Sequence, residues 1–176
     1  MTVNSRTIGA AILLGLAFLG ASANLAAQTT MKYHAIPANA LKPANWDADQ
    51  RMWTSSQTVF NYSTSVNMPL DANAPIYLPE GAIIKKVTFY FTDNNPATTG
   101  KMDFSVNRQK LSTGSLGTIA KANTGASASS ASRTSIDAAK VINGKVDNLN
   151  YTYSINVRFN APTPLLQFHG AVIAYE

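Results

Sequence analysis

The chain has 176 residues, no cysteine and a formal net charge of +5 at neutral pH. Hydrophobic residues make up 45% of it and charged residues only 13%, so we expect one domain with a real core and a surface of mainly uncharged polar side chains. The lack of cysteine excludes disulfides and thiol catalysis, and the scattered cations argue against nucleic-acid binding, which needs basic residues concentrated in a stripe.

The first 23 residues have the features of a secretory signal peptide. Arg6 precedes an apolar run from residue 8 to 19, and Ala21-Ser22-Ala23 fits the pattern before a cleavage site. Cleavage after Ala27 is an alternative, as is an uncleaved N-terminal anchor. The apolar run is short for a membrane span. We therefore expect a secreted protein, located at the cell surface, outside the cell or in the periplasm, with no membrane span in the mature chain.

The mature chain is expected to divide at residue 57. Residues 24–57 are predicted to form an extended segment and connection, with a first strand near residues 33–37. Residues 58–176 are predicted to form a single β-sandwich domain. Within it, residues 58–63 favour a short strand. Residues 74–82 lie between two prolines, which favours an edge strand because proline has no N–H to donate.

Residues 81–95, GAIIKKVTFYFTDNN, alternate between apolar and mostly polar side chains. A period of two indicates a strand with one face in the core. Residues 101–109 repeat the alternation after a loop rich in turn-forming residues, which predicts a hairpin between the two strands. The side chains of the first strand that we expect in the core are Ile83, Val87, Phe89 and Phe91.

The last third of the chain predicts further strands. Residues 115–122 favour a strand, 123–135 a loop or a wet edge, and 136–144 either a strand or a helical turn. Residues 150–160 alternate clearly. The last strand, residues 165–176, is apolar in both phases, so it is central in its sheet or one of its faces contacts something else. Gly170 within it indicates a bulge.

These features define the fold class. At least six strands with turn signals between them, and no long amphipathic helix, predict an all-β protein. The architecture is an antiparallel β-sandwich, jelly-roll-like.

Four phrases in this order resemble a group of uncharacterised secreted bacterial proteins: YHAIPANAL, IYLPEGAIIKKVTFYFTDN, VDNLNYTYSINVRF and FHGAVIAYE. The resemblance covers most of residues 33–176. It implies a β-sandwich and brings no known activity or catalytic residue.

Catalytic side chains are scarce in this sequence. The two histidines, His34 and His169, lie on the predicted first and last strands, and two histidines alone make a poor zinc site. No serine lies in a Gly-x-Ser-x-Gly turn. Most carboxylates fall in or beside turns, where they cap backbone N–H groups. We therefore expect no enzymatic activity.

Calcium is the only cofactor that the sequence suggests. Asp47 and Asp49 form one oxygen-rich pair, Asp71 and Asn73 form another, and residues 93–95, Asp-Asn-Asn, form a third. Such loops can hold calcium through carboxylates and carbonyl groups. Ordinary Asx turns are the alternative.

Two functions are open at this stage. The first is a structural or interaction protein of the cell envelope or extracellular space. It would form a homo-oligomer through the last strand, or bind an envelope or extracellular partner. The second is a carbohydrate-binding module in which aromatic side chains of loops stack on sugar rings. The alternative role for the two tryptophans is to cover one end of the sandwich. The residues proposed for self-association are Phe168, Gly170, Val172 and Ala174; those proposed for carbohydrate are Trp46, Trp53, Tyr62 and Tyr77.

Overall fold

The computed structural model describes residues 30–44, 52–54, 58–61, 69–95, 100–125 and 130–176. Within these ranges the chain forms eleven strands and one short 3₁₀ helix, Ala38–Ala40. No helix in them is long and apolar enough to cross a membrane. The strands are β1 Lys32–Pro37, β2 Lys42–Pro43, β3 Met52–Thr54, β4 Val59–Asn61, β5 Leu70–Ile76, β6 Ile84–Asp93, β7 Met102–Lys110, β8 Leu116–Asn123, β9 Ser130–Asp137, β10 Tyr151–Phe159 and β11 Leu166–Tyr175.

The strands form two antiparallel sheets. One has the order β3-β4-β11-β6-β9, and β1 also pairs with β11 in this sheet, which makes six strands. The other has five strands in the order β2-β5-β10-β7-β8. The prediction of an all-β antiparallel sandwich is confirmed. Strands from the predicted N-terminal connection take part in both sheets, because β1 and β3 belong to the first and β2 to the second.

Aromatic rings join the two sheets at the centre of the core. Phe104 of the five-stranded sheet stacks on Phe89 of the six-stranded sheet, with ring centroids 4.9 Å apart. Phe104 also contacts Phe91 and Phe168, at 5.6 and 5.9 Å. Phe89, Phe104 and Phe168 are fully buried. The alternating strands therefore form the core by placing their apolar faces against each other, as the period of two predicts.

The predicted hairpin between the strands at 81–95 and 101–109 is wrong. β6 lies in one sheet and β7 in the other, and β7 pairs with β10 and β8 instead. The alternation shows which side chains are buried. It does not show whether two strands meet edge to edge or face to face, and here the stacking of Phe89 on Phe104 joins them face to face.

A bulge changes the predicted core at the start of β6. Tyr175 pairs with Ile84 and Ala174 with Lys86, so the register shifts by one residue at Lys85. As a result Ile84 is 2% exposed, whereas Ile83, which we expected in the core, is 39% exposed. An extra residue on one strand reverses the phase of every residue before it.

The last strand is central in its sheet. β11 has β6 on one side and β1 and β4 on the other. The predicted bulge is present, because the register with β6 shifts between Phe168 and Gly170. Gly170 has a φ of +144°, and a Cβ there would lie 2.9 Å from the carbonyl oxygen of Ile36. Only glycine fits this position without strain.

Proline explains the position of β5. Pro75 pairs with Ser154 of β10, but β2 reaches only Ala72 and Asn73 on the other side. At Pro75 the strand is thus an edge, where the missing N–H donor costs nothing. β9, which covers part of the ambiguous region, is likewise an edge strand.

Replacing Phe104 by alanine tests the central contact. We expect Phe104→Ala to lower the free energy of unfolding by about 3–5 kcal/mol, because it removes a buried ring that contacts both sheets. The measurement is equilibrium unfolding in urea. Leu149→Ala is the control, since Leu149 is 83% exposed, and its effect should stay within about 0.5 kcal/mol. Equal losses in the two variants would contradict the assignment of the core.

A buried tyrosine fixes the turn before β10. The Tyr153 hydroxyl accepts a hydrogen bond of 2.7 Å from the backbone N–H of Asp147. The same turn is tied to the connection between β5 and β6, because the Asn148 side chain donates to the carbonyl oxygen of Leu78 and the Asn148 N–H donates to Glu80. Burial raises the pKa of Tyr153 above its ordinary value of 10.0.

This shift predicts a loss of stability in alkali. A raised pKa in the folded state means that the contribution of Tyr153 is complete below the ordinary pKa and is lost as the pH rises through the folded value. We expect Tyr153→Phe to cost about 1 kcal/mol at neutral pH, because the Asp147 N–H loses its acceptor. The variant should then lose less stability than the wild type between about pH 8 and pH 11. If the free energy of unfolding falls equally with pH in the wild type and in Tyr153→Phe, the pKa of Tyr153 does not change on unfolding and the prediction is wrong.

Candidate functional site: the polar face of the five-stranded sheet

The outer face of the five-stranded sheet carries an extended set of polar side chains. The same alternation that buries Ile155 and Val157 of β10 turns Ser154, Asn156 and Arg158 outward. Neighbouring strands repeat the pattern. We call the following set the polar face: Asp71, Asn73, Asp103, Ser105, Asn107, Gln109, Thr118, Lys121, Asn123, Ser154, Asn156 and Arg158.

Strand pairing arranges this set in rows that run across the strands. The register of β5, β10, β7 and β8 places one side chain of each strand beside its neighbour. The first row is Asp71, Arg158, Asp103 and Asn123; the second is Asn73, Asn156, Ser105 and Lys121; the third includes Ser154, Asn107 and Thr118.

Hydrogen bonds within and between the rows hold the amides in place. The Nδ2 of Asn156 donates to the Oδ1 of Asn73 at 2.7 Å. Asn107 donates from its Nδ2 to the Ser105 hydroxyl at 2.9 Å and accepts from the Thr118 hydroxyl at 3.0 Å. The Oδ1 of Asn156 and the Nδ2 of Asn73 bond to no group within the described ranges. An acceptor and a donor therefore remain available side by side.

The charges of the first row are largely paired with each other. Arg158 lies 3.4 Å from the Asp71 carboxylate, and Lys101 lies 3.4 Å from the Asp103 carboxylate. Asn160 donates a further hydrogen bond of 2.7 Å to Asp103. These pairs are partly exposed, so each stabilises the fold by at most about 1 kcal/mol. The polar face as a whole holds two carboxylates, Asp71 and Asp103, and two cations, Arg158 and Lys121, so its net charge is small.

Two adjoining hollows lie over the polar face. The larger has a volume of about 710 Å³ and reaches from Asp71 to Asp137 at the end of β9. The smaller has a volume of about 430 Å³. Ser105, Thr118 and Asn156 line both hollows, so the two adjoin and form one groove with a hydrogen-bonding floor at that point. Phe104, Ala122 and Ile136 add apolar side chains to the lining of the larger hollow.

Apolar side chains stand at one end of this groove. Tyr77 follows β5 in the same phase as Asn73 and Pro75 and is 77% exposed. Leu116 of β8 pairs with Gln109, lines the smaller hollow and is 67% exposed. The structure thus brings Tyr77, a predicted sugar-stacking residue, to the edge of the polar face. We did not predict the rows themselves, although the outward residues of the strand at 150–160 were a signal for them.

The other predicted ligand residues have different positions. Trp46 and Tyr62 lie outside the described residues, and Trp53 pairs with Phe60 between β3 and β4. Of the predicted calcium ligands, Asp47 and Asp49 also lie outside them, and Asp71 pairs with Arg158. Three or more side chains of histidine, aspartate or glutamate do not come together anywhere in the described ranges.

The residues proposed for self-association lie on both sides of β11. Phe168 is fully buried between the sheets, so its side chain forms no part of an outer surface. Val172 and Ala174 lie on the outer face, beside Ala35 and Tyr33 of β1, and Gly170 lies beside Pro37.

The two histidines have separate surroundings. The first and last strands pair, and His34 lies opposite Ile173. His169 lies four residues before Ile173 on β11, at the bulge, and its Nε2 lies 2.8 Å from the Thr92 hydroxyl.

Comparison with known proteins shows likeness in structure only. No family model and no curated protein matches the sequence. A Clostridium thermocellum endo-1,4-β-D-xylanase 10B structure, of CBM22-1-GH10 modules complexed with xylohexaose, is similar with a TM-score of 0.50 and 14% identity, over 80% of this chain and 27% of that chain. The chain therefore spans about a quarter of that xylanase chain.

Two further solved structures are similar over most of both chains. The C-terminal CBM6 of LamC, a marine laminarinase from Zobellia galactanivorans, has a TM-score of 0.47 and 10% identity, over 81% of this chain and 98% of that one. A xylan-binding domain from CBM 22 has a TM-score of 0.42 and 9% identity, over 80% and 92%. The match to the xylanase structure, with its TM-score of 0.50 and 14% identity, shows a shared β-sandwich fold and nothing finer.

Proposed function

We propose that this chain is a non-catalytic extracellular module that binds a neutral carbohydrate along the polar face. The observation that carries the proposal is the row of amides and hydroxyls at the floor of the groove, with donors and acceptors open beside each other. The extracellular location rests on the predicted signal peptide.

The chemistry of the floor suits a sugar chain. Each sugar hydroxyl both donates and accepts, and an Asn side chain offers both functions on one planar group. Neighbouring strands lie about 4.8 Å apart, so the side chains of a row repeat at a distance comparable to one sugar unit. Asn73, Asn156 and Ser105 occupy successive positions of this kind.

The charges favour a neutral ligand. An acidic polysaccharide would meet the carboxylates of Asp71 and Asp103, and a cationic ligand would meet Arg158 and Lys121. Because Asp71 and Arg158 are already paired, neither kind of ligand gains a counter-charge from them without breaking that contact. Among the charged residues of the polar face, Lys121 is in no ion pair within the described ranges. A neutral ligand gains hydrogen bonds without this cost.

Tyr77 adds an apolar contact at the groove's end. Its exposed ring can lie against the face of a sugar ring, where C–H groups are apolar. The xylanase structure is described as complexed with xylohexaose, which makes xylohexaose a reasonable first probe for this chain.

The proposal predicts that Asn156→Ala weakens carbohydrate binding by at least about tenfold, because the change removes an open acceptor and releases the amide of Asn73. The measurement is isothermal titration calorimetry with xylohexaose and a panel of neutral β-glucan and mannan oligosaccharides. Ser135→Ala is the matched control, since Ser135 is an exposed residue on β9 of the other sheet, and it should bind as the wild type does.

Two results would contradict this proposal. One is the absence of binding to every neutral oligosaccharide of the panel by the folded wild-type protein. The other is wild-type affinity in a double variant, Ser105→Ala with Asn156→Ala.

Self-association is the second candidate function, and a strip on the opposite sheet favours it. On the outer face, Tyr33 lies beside Ala174, and Ala35 lies beside Val172. Tyr33 is 70% exposed. The strip is bounded by the Lys86–Asp137 ion pair, in which Lys86 and Thr88 lower the pKa of the Asp137 carboxyl.

If this strip joins two copies, the mature protein is an oligomer that Tyr33→Glu dissociates, because a carboxylate would be buried without a partner. Light scattering at several protein concentrations measures the mass. Tyr77→Glu is the matched control, with an equally exposed ring on the other sheet, and it should leave the mass unchanged. A wild-type monomer at the highest concentration would exclude this candidate.

A further inference from the structure

Asp93 is a buried carboxylate that lacks part of its hydrogen bonding. It is the last residue of β6, pairs with Leu166 of β11, and has an exposure of 0%. Its Oδ1 accepts a hydrogen bond of 3.2 Å from the backbone N–H of Asn95. Its Oδ2 is buried and has no hydrogen-bond partner.

No ion pair within the described ranges involves Asp93. A charged carboxylate that leaves water without a counter-charge costs several kcal/mol. A polar atom with no partner at such a position indicates a missing ligand, such as a proton, a water molecule or a metal ion. The surroundings of Asp93 distinguish among these.

Two buried amides lie on the same inner face, one beside Asp93 in the chain and one two strands away across β11. Asn95 follows Asp93 and is 6% exposed, and Asn61, at the end of β4, is 0% exposed. β4 and β6 flank β11 on opposite sides, so Asn61 and Asp93 both belong to the inner face of the six-stranded sheet. Both amides also have other interactions.

A glycine holds the Asn95 amide in place. A Cβ added at Gly100 would collide with the Nδ2 and Cγ atoms of Asn95. The Asn95 side chain is therefore packed directly against the backbone where the chain re-enters the fold before β7. The Asp93 carboxylate and the Asn95 side chain, two residues apart, are thus both buried and held by packing, and an ion site needs groups that are held in this way.

We propose that Asp93 anchors a buried site for a hard cation of the calcium type at this end of the sandwich. Calcium takes oxygen ligands from carboxylates, side-chain amides and backbone carbonyl groups, and Asp93 and Asn95 offer no nitrogen or sulfur donor of the kind that zinc prefers. One carboxylate gives a weak site, with a dissociation constant of about 10⁻⁴–10⁻³ M, as in extracellular modules. The inference is independent of carbohydrate binding, and it places the ion at the third oxygen-rich stretch of the sequence, residues 93–95, and not at Asp47, Asp49 or Asp71.

Thermal unfolding of the full mature chain tests this site. We expect about 10 mM calcium chloride to raise the wild-type Tm by about 3–8 °C relative to EDTA with sodium chloride at equal ionic strength, because the ion binds the folded state only. The shift should vanish in Asp93→Asn. It should persist in Asp137→Asn, which makes the same substitution at an exposed position, and in Asp71→Asn.

Direct calcium binding keeps the test decisive if Asp93→Asn fails to fold. Equilibrium dialysis of the wild type against calcium should find one bound ion per chain at millimolar concentration. Three outcomes would overturn the proposal. These are no bound calcium and no shift in the wild type, a shift that persists in Asp93→Asn, or a shift that is lost in Asp71→Asn. A calcium-insensitive wild type with an equally stable Asp93→Asn would assign a proton to this carboxyl.

Discussion

The contact between the two sheets at Phe104 determines the rest of this structure. Its ring lies against Phe89 and Phe168 of the opposite sheet, and this contact sets which phase of each strand points inward. Because side chains alternate with a period of two, the inward phase also sets the outward one. The rows of amides and hydroxyls on the five-stranded sheet are thus a direct consequence of how its core residues pack.

The two outer faces have different compositions, and the difference bears on function. The five-stranded sheet presents amides, hydroxyls and paired charges over a groove. The six-stranded sheet presents a mixed strip, with Tyr33 and Val172 beside the Lys86–Asp137 pair. A chain with so few charged residues offers little electrostatic steering, so recognition on either face depends on hydrogen bonds and shape. This favours a neutral ligand on the first face.

Irregular positions are concentrated where the sheets deviate from simple alternation. Gly170 lets β1 approach β11 closely at a bulge, and the bulge at Lys85 exchanges the roles of Ile83 and Ile84. At the end of β6, Asp93 and Asn95 place polar groups inside the core. Bulges and buried polar groups cost stability unless something compensates for them. This is why the end of β6 is the place to look for a bound ion.

The sequence by itself determined the fold class and the inward faces of β7 and β10, because a period of two is local and each strand carries its own. For the last strand it left open a central position or a covered outer face, and the strand order decided for the central position. Its choice of Tyr77 as a sugar-stacking residue stays a prediction. Only the tertiary structure decided that β6 and β7 lie in opposite sheets, that Asn73, Asn156 and Ser105 share a row, and that Asp93 is buried beside Asn95. These depend on strand order and register, which arise from contacts between residues far apart in the chain. No local pattern encodes which of several similar strands pair, because their apolar faces are chemically alike.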